Sequence, residues 1–277
     1  MKKILKKQLS IKEIYDSYIQ KLNKQKSAIR YSDRTWFHSS SAGLCTRKHF
    51  FSSVSQAEGE PIKDDTMRLF RLGDIVHEDI QNAVRDYADA NALPILIEKE
   101  LYLDDFNVRG FIDLALLDRN TLYDIKTCNS WKWSKMFGRG ASGMPDLHQQ
   151  LQLATYGIWV REEYDIQDLK LVMVYYNKNT SAIREVELMS DEMMAEAELY
   201  WEKVNDMLEP IHWGEVSDLD ERGIDIDMDN HFVTDIPSMG QAIFQIPPIE
   251  LGTSPVQEWE CNYCQFADSC GGIKNAK

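Results

Sequence analysis

The sequence predicts an α/β protein in which a mixed sheet is flanked by helices. Residues 108–128 have the pattern of a hairpin, with two short strands joined by a turn at 118–120. The segments 66–91 and 146–164 place apolar side chains at helical spacing, one before the hairpin and one after it. We therefore expect the hairpin at the centre of the sheet and the two helices packed against it.

Further elements are predicted on both sides of this centre. Residues 8–26 place apolar side chains at helical spacing with lysines opposite them, which predicts either a packed surface helix or one that also contacts nucleic-acid phosphates. Ser190, followed by acidic residues, indicates the start of a helix that runs to about residue 208. Three additional strands are expected at 95–103, 169–176 and 183–188. The stretches 130–145 and 210–258 are expected to be irregular.

Length and charge limit the functions that are possible. The chain has 277 residues, of which 43% are hydrophobic, so it can form one elaborated domain or two small ones around a real core. The net charge of -14 argues against uniform coating by nucleic acid. However, residues 1–34 hold ten Lys or Arg and three Asp or Glu, whereas 209–260 hold twelve acidic residues and one arginine. This asymmetry favours binding of a polyanion to one face only.

The cellular location is predicted from two sequence patterns, those of a signal peptide and of a membrane-spanning helix. The N-terminus is basic without the apolar stretch of a signal peptide, and no run of about 18 apolar residues occurs. We expect a cytoplasmic protein with no membrane partner. In that reducing compartment the five cysteines are poor candidates for disulfides, and metal binding is the favoured interpretation.

The predicted hairpin carries a charged set suited to phosphodiester chemistry. Asp113 lies on the first strand, and Asp124 and Lys126 share one face of the second because alternate side chains of a strand point the same way. Two carboxylates on paired strands form a hard-oxygen site of the kind that Mg²⁺ or Mn²⁺ prefers. A neighbouring lysine can orient or deprotonate a water. The combination suits metal-dependent phosphodiester hydrolysis.

Two predicted helices add polar residues to this set. Gly73 and His77 lie four residues apart, on the same helix face. A glycine inside a helix costs about 1 kcal/mol relative to alanine, so we expect something to approach closely there. A lone histidine in an amphipathic helix is usually structural, but the carboxylates downstream favour a functional role. Gln152 and Tyr156 are one helical turn apart, and taken alone they are most simply explained by helix solubility and core packing.

Four motifs, taken together, resemble those of the RecB-like branch of the PD-(D/E)xK nucleases. They are Gly73-x-x-x-His77, Gly110-x-x-Asp113, Asp124-Ile-Lys126 and Gln152-Leu-Ala-Thr-Tyr156. No single motif is specific, but all four occur in order and on the expected helix or strand. Many relatives have Glu-x-Lys at the third motif, and either carboxylate can bind a metal.

The resemblance implies a restriction-endonuclease-like fold and assigns roles to the motif residues. It implies metal ligation by His77, Asp113, Asp124 and the backbone carbonyl of Ile125. It further implies that Lys126 is catalytic, and that Gln152 and Tyr156 hold the scissile strand or steady Lys126.

The cysteines form a second constellation. Cys261, Cys264 and Cys270 follow a C-x2-C-x5-C pattern, and Cys45 is the natural fourth thiolate. The residues around Cys45 resemble the N-terminal cysteine motif of the iron–sulfur members of this family, which include CRISPR-associated RecB-like exonucleases and the AddB nuclease domain. The resemblance implies a [4Fe–4S] cluster that joins the N- and C-terminal parts, with tetrahedral zinc as the alternative. Cys128 falls outside the pattern and is expected to be a small core residue.

The stretch 130–145 is a candidate DNA contact. It interleaves tryptophans with Lys132, Lys135 and Arg139, a composition that can stack bases and pair with phosphates. Closure of the core explains such a stretch equally well. The acidic segment 215–235 is either a solvated stretch or a source of repulsion that confines DNA to the opposite face. The whole irregular stretch 210–258 is either a mobile insertion or a functional lid.

The predicted function is metal-dependent DNA hydrolysis, as an exonuclease on single strands or duplex ends in recombination, repair or CRISPR-type DNA processing. Recombination or CRISPR-adaptation proteins are the expected partners besides DNA. A non-catalytic DNA-end-binding or processing subunit that needs a partner stays open, as does a redox or structural protein. Four parts are expected: a basic helix and lead-in (1–44), the nuclease core (45–209), an acidic insertion (210–258) and the iron–sulfur module (259–277).

Overall fold

The structure is a computed structural model that describes residues 10–30, 36–49, 61–212 and 264–266, together with Ser52, Gly59 and Glu260. The described side chains exclude those of residues 28–30, 46–47 and 207–212. The acidic insertion predicted at 210–258 lies outside the described residues after His212. Cys261 and Cys270 lie outside them as well.

The described part of the chain alternates helices and strands. Its helices are α1 Ile11–Arg30, α2 Thr46–His49, α3 Asp64–Asn91, α4 Ser130–Phe137, α5 Leu147–Tyr164 and α6 Ser190–His212. Its strands are β1 Phe37–His38, β2 Ile95–Leu103, β3 Val108–Leu116, β4 Thr121–Cys128, β5 Lys170–Asn177 and β6 Ile183–Glu187. None of the described helices is long and apolar enough to cross a membrane.

The strands form one mixed sheet with the hairpin at its centre. β3 pairs antiparallel with β2 from Val108 to Leu116 with an interruption at Asp113. β4 pairs parallel with β5, which in turn pairs antiparallel with β6. β3 and β4 are joined by a 3-10 turn that ends at Asn120, whose φ of 47° is a left-handed conformation that asparagine tolerates. The mixed sheet flanked by helices is confirmed.

The pairing of β3 with β4 is unusually short. It covers three residue pairs next to the turn and ends with Leu114 opposite Tyr123. The first residues of β3 pair instead with β1, where Phe37 lies opposite Val108. Because β3 and β4 separate beyond Leu114, the sheet opens between them. This gap begins where the next pair in register would have been Asp113 and Asp124.

α5 is the helix buried most completely against the sheet. Its residues from Leu153 to Ile158 are all buried, which explains why it has no polar face in that stretch. At Gly157 a Cβ atom would lie 2.8 Å from a methyl group of Leu171 and 3.0 Å from the sulfur of Met194, so glycine lets α5 approach β5 and α6 closely. The indole of Trp201 on α6, fully buried, donates a hydrogen bond of 2.9 Å to Thr155 on α5.

The prediction that residues 130–145 form a loop is wrong in its first half. α4 occupies Ser130–Phe137, and the Asn129 side chain caps it by accepting a hydrogen bond of 2.8 Å from the Lys132 backbone N–H. Trp133 and Phe137, one turn apart, contact each other and pack against the core. β1 was not predicted, because two residues are too few to show a strand pattern.

Candidate active site

The gap between β3 and β4 gathers the charged residues of the central motifs. Asp113 Oδ2 accepts a hydrogen bond of 2.8 Å from the Ile125 backbone N–H, so its carboxylate bridges the separated strands. Asp124 is buried, with 1% of its surface exposed. α3 brings His77, whose Nδ1 lies 3.6 Å from Asp113 Oδ2. That distance is too long for a hydrogen bond but short enough for the charges to interact.

Lys126 connects the second carboxylate to α5. Its Nζ donates hydrogen bonds of 3.0 Å to Asp124 Oδ1 and of 3.0 Å to Gln152 Oε1. Nζ also lies 2.8 Å from Asp124 Oδ2, in a geometry that is an ion pair without being a hydrogen bond. Oδ2 of Asp124 is therefore a buried carboxylate oxygen that accepts no hydrogen bond from the described residues.

Gln152 and Tyr156 continue the chain of contacts. Gln152 Nε2 donates a hydrogen bond of 2.9 Å to the Tyr156 hydroxyl, which leaves the amide oxygen to face Lys126. At Gly110 a Cβ atom would lie 2.4 Å from Ser39 Oγ and 2.6 Å from the Tyr156 ring. Glycine is thus required in the second motif because Ser39 and Tyr156 fill the space above β3. Ser39 was not predicted, since a serine before a turn carries no distinctive pattern.

Burial and neighbouring charges shift the pKa values of the ionisable side chains in this cluster. Burial raises the pKa of Asp124 to about 6, although the Lys126 ammonium opposes the shift. Burial acts on Asp113 in the same direction, but His77 and Lys126 outweigh it and lower the pKa of that carboxyl. The pKa of Lys126 is raised because Asp124 and Asp113 outweigh the effect of burial, so the amine is held as an ammonium.

The pKa values of His77 and Tyr156, the other two titratable members of the cluster, are both raised. Burial favours the neutral form of His77, but the Asp113 carboxylate outweighs it and raises the pKa of the imidazole. Burial raises the pKa of Tyr156 to about 12, so its hydroxyl stays protonated. The cluster therefore balances two carboxylates against an ammonium and a histidine that readily takes up a proton.

The donor set fits a hard divalent cation. Two carboxylates and the Ile125 carbonyl are oxygen ligands of the kind that Mg²⁺ and Mn²⁺ prefer, and the His77 imidazole adds one nitrogen ligand of the kind that transition metals accept. Asp124 Oδ2, which accepts no hydrogen bond from the described residues and is held only in the ion pair with Lys126, provides a further ligand atom. Within the described residues, no three or more His, Cys, Asp or Glu side chains have already converged to metal-binding geometry. The Lys126 ammonium instead lies against Asp124.

A groove of about 1150 Å³ leads to this cluster. Its walls come from α1, α3, the end of β4 and the turn after β5, and they include His77 and Lys126. We call it the α1–α3 groove, after the helices that contribute Lys24 and Phe70. The groove could not be predicted from the sequence, because its walls come from segments that are far apart in the chain.

Gly73 also lines this groove. A Cβ atom there would meet only Thr127 Oγ1, at the ordinary contact distance of 3.5 Å. The close approach expected from a glycine in this helix is therefore not made by any described protein atom.

The basic residues predicted to contact DNA lie on and after α4. Lys132 forms an ion pair with Asp146. The Lys135 ammonium lies 5.5 Å from the ring centre of the exposed Trp131, and Arg139 is exposed. None of the three lines the α1–α3 groove. Their contact with DNA stays a prediction.

Three of the five cysteines lie within the described residues: Cys45, Cys128 and Cys264. None of the three forms a disulfide. The Cys45 backbone N–H donates a hydrogen bond of 3.2 Å to Glu260 Oε2, which brings the N-terminal cysteine next to the residue before Cys261. Cys128 is buried in the core, as predicted. Because Cys261 and Cys270 lie outside the described residues, the four-thiolate set stays a prediction.

Comparison with known proteins defines the class. The family model of the PD-(D/E)XK nuclease superfamily matches residues 84–271, which include Asp113, Asp124 and Lys126. The chain belongs to this superfamily and is a nuclease, a hydrolase of nucleic acid. His77 and Cys45 precede the matched region.

Solved structures are similar at low sequence identity. One is the crystal structure of SSO0001, with 16% identity, a TM-score of 0.47 and coverage of 92% of this chain and 96% of that chain. Another is an alkaline exonuclease, LHK-Exo, from Laribacter hongkongensis, with 12% identity, a TM-score of 0.45 and coverage of 70% and 95%. No curated protein matches the sequence.

Proposed function

We propose that this chain is a Mg²⁺- or Mn²⁺-dependent deoxyribonuclease of the RecB-like branch, acting as an exonuclease on single strands or duplex ends. The observation that carries the proposal is the meeting of Asp113, Asp124 and Lys126 where β3 and β4 separate. Two carboxylates and an ammonium at a sheet opening that faces a groove form a site for an anionic substrate and its cation.

The metal would be held by His77, Asp113, Asp124 and the carbonyl of Ile125. When bound, a divalent cation stabilises the negative charge that develops on the phosphate during hydrolysis. Asp113 is already oriented for ligation, because the Ile125 N–H fixes one of its oxygens. Asp124 offers an oxygen that accepts no hydrogen bond from the described residues.

Lys126 would act as the cation that positions the attacking water and contacts the scissile phosphate. Its ammonium is fixed between Asp124 and Gln152, so its N–H bonds point in defined directions. Its raised pKa keeps it charged, which suits contact with a scissile phosphate. Gln152, held by Tyr156, would keep Lys126 in place when Asp124 turns to a metal.

The test measures cleavage of end-labelled single- and double-stranded DNA with Mg²⁺, with Mn²⁺ and with EDTA. Cleavage from the ends is expected with either metal and none with EDTA. Lys126→Ala should abolish it while leaving thermal unfolding cooperative. Asp118→Asn, on the turn of the same hairpin and outside the gap, is the matched control and should cleave normally. Metal-independent cleavage, or full activity in Lys126→Ala, would contradict the proposal.

A [4Fe–4S] cluster held by Cys45, Cys261, Cys264 and Cys270 is the second part of the proposal. Its support is the hydrogen bond from the Cys45 backbone N–H to Glu260, because Glu260 is the residue that directly precedes Cys261. Four thiolates are the usual ligands of such a cluster. Iron and sulfide analysis of anaerobically purified protein should give iron, and Cys264→Ser should lose it. Zinc in place of iron would decide for the tetrahedral alternative.

A further inference from the structure

We propose that the α1–α3 groove carries a single DNA strand to the active site, with Phe70 as a base-stacking platform and Lys24 and Lys178 as phosphate contacts. The proposal rests on the nuclease function proposed above and adds the form of the substrate and its path. It assigns binding roles to α1 and to the turn after β5, not to α4.

Charge is the first observation. The described residues that line the groove include four lysines and one aspartate, in a chain that holds 31 basic and 45 acidic residues overall. Two of these lysines are neutralised in part, Lys26 by its ion pair with Asp74 at 2.8 Å and Lys126 by its ion pair with Asp124 at 2.8 Å. Lys24 and Lys178 have no ion pair among the described residues, so their charges are available to a ligand. A local positive groove on an acidic protein selects a polyanion.

The apolar wall is the second observation. Phe70 and its neighbour Leu69 line the groove while remaining more than half exposed, at 54% and 56%. A duplex keeps the faces of its bases stacked inside, and only a single strand can offer them to an aromatic ring. Lysines interleaved with an exposed ring therefore fit a single strand better than a duplex backbone. The groove volume of about 1150 Å³ exceeds the range of about 300–1,000 Å³ of pockets for single small ligands.

Gly73 is the third observation. It lies one helical turn after Phe70 and one turn before His77, and all three line the groove. Inside a helix glycine is less stable than alanine, and no described atom lies close enough to exclude a methyl group. We attribute this glycine to the passing strand, which would run along α3 from Phe70 over Gly73 to His77.

The experiment compares two single strands and two proteins. Fluorescence anisotropy measures binding of a labelled oligothymidylate, and of the same strand with abasic sites, to the wild type and to Phe70→Ala. Binding is measured in EDTA and again in Ca²⁺, so that it does not depend on cleavage. Phe70→Ala should weaken binding of the normal strand about tenfold and leave the abasic strand almost unchanged, because the abasic strand has nothing to stack.

Matched variants distinguish base stacking by Phe70 from a general packing effect. They also distinguish the charge of the groove lysines from the net charge of the protein. Phe70→Leu should bind like Phe70→Ala, whereas Tyr87→Ala, an equally exposed aromatic on α3 outside the groove, should bind like the wild type. The double variant Lys24→Gln with Lys178→Gln should reduce the slope of log affinity against log salt by about 1.4, since each single-strand phosphate contact contributes about 0.7. Lys99→Gln with Lys203→Gln makes the same change in net charge at exposed sites outside the groove and should leave the slope unchanged.

Equal losses on normal and abasic strands, or tighter binding of duplex than of single strand in the wild type, would overturn the proposal. So would unchanged salt slopes in the groove double variant. Failure of the proposed nuclease function is distinguishable from failure of the strand path. If the wild type cleaves labelled DNA but Phe70→Ala binds DNA as the wild type does, the proposed strand path is wrong and the nuclease function is supported. If Phe70→Ala weakens binding but the wild type cleaves DNA with neither metal, the strand path is supported and the nuclease function is wrong.

Discussion

Two regions of this molecule bury ionisable side chains, but only one of them places a compensating charge beside the buried group. At the gap between β3 and β4, Asp124 is 1% exposed but faces the Lys126 ammonium, and the cluster opens into the α1–α3 groove. Elsewhere His49, also 1% exposed, packs among the rings of Phe37, Tyr200 and Trp201. We call this second region the aromatic cluster.

The aromatic cluster keeps its titratable group neutral. His49 Nε2 lies 2.8 Å from the Tyr200 hydroxyl, and Nδ1 has no hydrogen bond among the described residues. Burial lowers the pKa of His49 to about 3, with the nearby Lys48 acting in the same direction. Burial alone therefore does not mark a functional site. What distinguishes the gap is compensating charge and access to a groove.

The largest effect expected from this comparison is on cleavage. Asp124→Asn should reduce the cleavage rate by about 10³-fold or more, since removal of a charged metal ligand costs several kcal/mol of transition-state stabilisation. The melting temperature should change little, because the carboxylate removed is one whose ionised form burial already disfavours. End-labelled cleavage and thermal unfolding of the same preparation check both. A large fall in melting temperature would make Asp124 a scaffold residue like His49.

The aromatic cluster should show the reverse behaviour, as loss of stability in acid. The unfolded chain takes up a proton at His49 below about pH 6.5, whereas the folded chain does so only near pH 3. The unfolded state therefore binds more protons in that window, and the free energy of unfolding falls as the pH drops, by up to about 1.4 kcal/mol per pH unit from this residue.

His49→Gln should remove that dependence without affecting cleavage at neutral pH. Urea unfolding at several pH values between about 6.5 and 4 measures the difference between variant and wild type, which isolates His49 from the carboxylates that titrate in the same range. Parallel curves for the two proteins would mean that His49 is protonated in the folded state or that the cluster opens.

The sequence could predict the elements whose pattern is local. β2 has the predicted bounds, and α3 and α5 begin within two residues of theirs, because amphipathic spacing and a buried run are properties of neighbouring residues. The composition of 130–145 suggested a loop, yet Trp133, Met136 and Phe137 at helical spacing form the inner face of α4. There, spacing was the better guide than composition.

The candidate site was likewise predictable only where it depends on a local sequence pattern. Asp113, Asp124 and Lys126 were predicted because strand alternation places them, and the structure brings them together. The gap in which they meet could not be predicted, since it depends on β1 taking over the pairing of β3. The basic helix 8–26, which contains Lys24, was a predicted alternative for phosphate contact, but Lys178 was missed because it lies about 150 residues further along and shares no local pattern with that helix.

A smaller effect on cleavage is expected at the helical side of the gap. Tyr156→Phe removes the hydroxyl that accepts from Gln152 Nε2, so the amide can turn and its oxygen no longer has to face Lys126. We expect kcat to fall about fivefold, which corresponds to the loss of one hydrogen bond of about 1 kcal/mol, with KM unchanged. Tyr175→Phe, which removes a buried hydroxyl bonded to Gln149, is the control and should keep kcat. Equal losses in both variants would indicate a general packing effect.

The smallest effect concerns two glycines that occupy helices for different reasons. At Gly73 a methyl group would meet Thr127 Oγ1 at 3.5 Å, so Gly73→Ala fits and should raise the free energy of unfolding by about 1 kcal/mol. At Gly157 the same methyl group would lie 2.8 Å from a methyl of Leu171, so Gly157→Ala should lose that gain to strain or destabilise the protein. Urea unfolding of the two variants measures the contrast. If Gly73→Ala destabilises the protein as Gly157→Ala does, Gly73 serves packing in the scaffold, and the groove beside it is narrower than the structure shows.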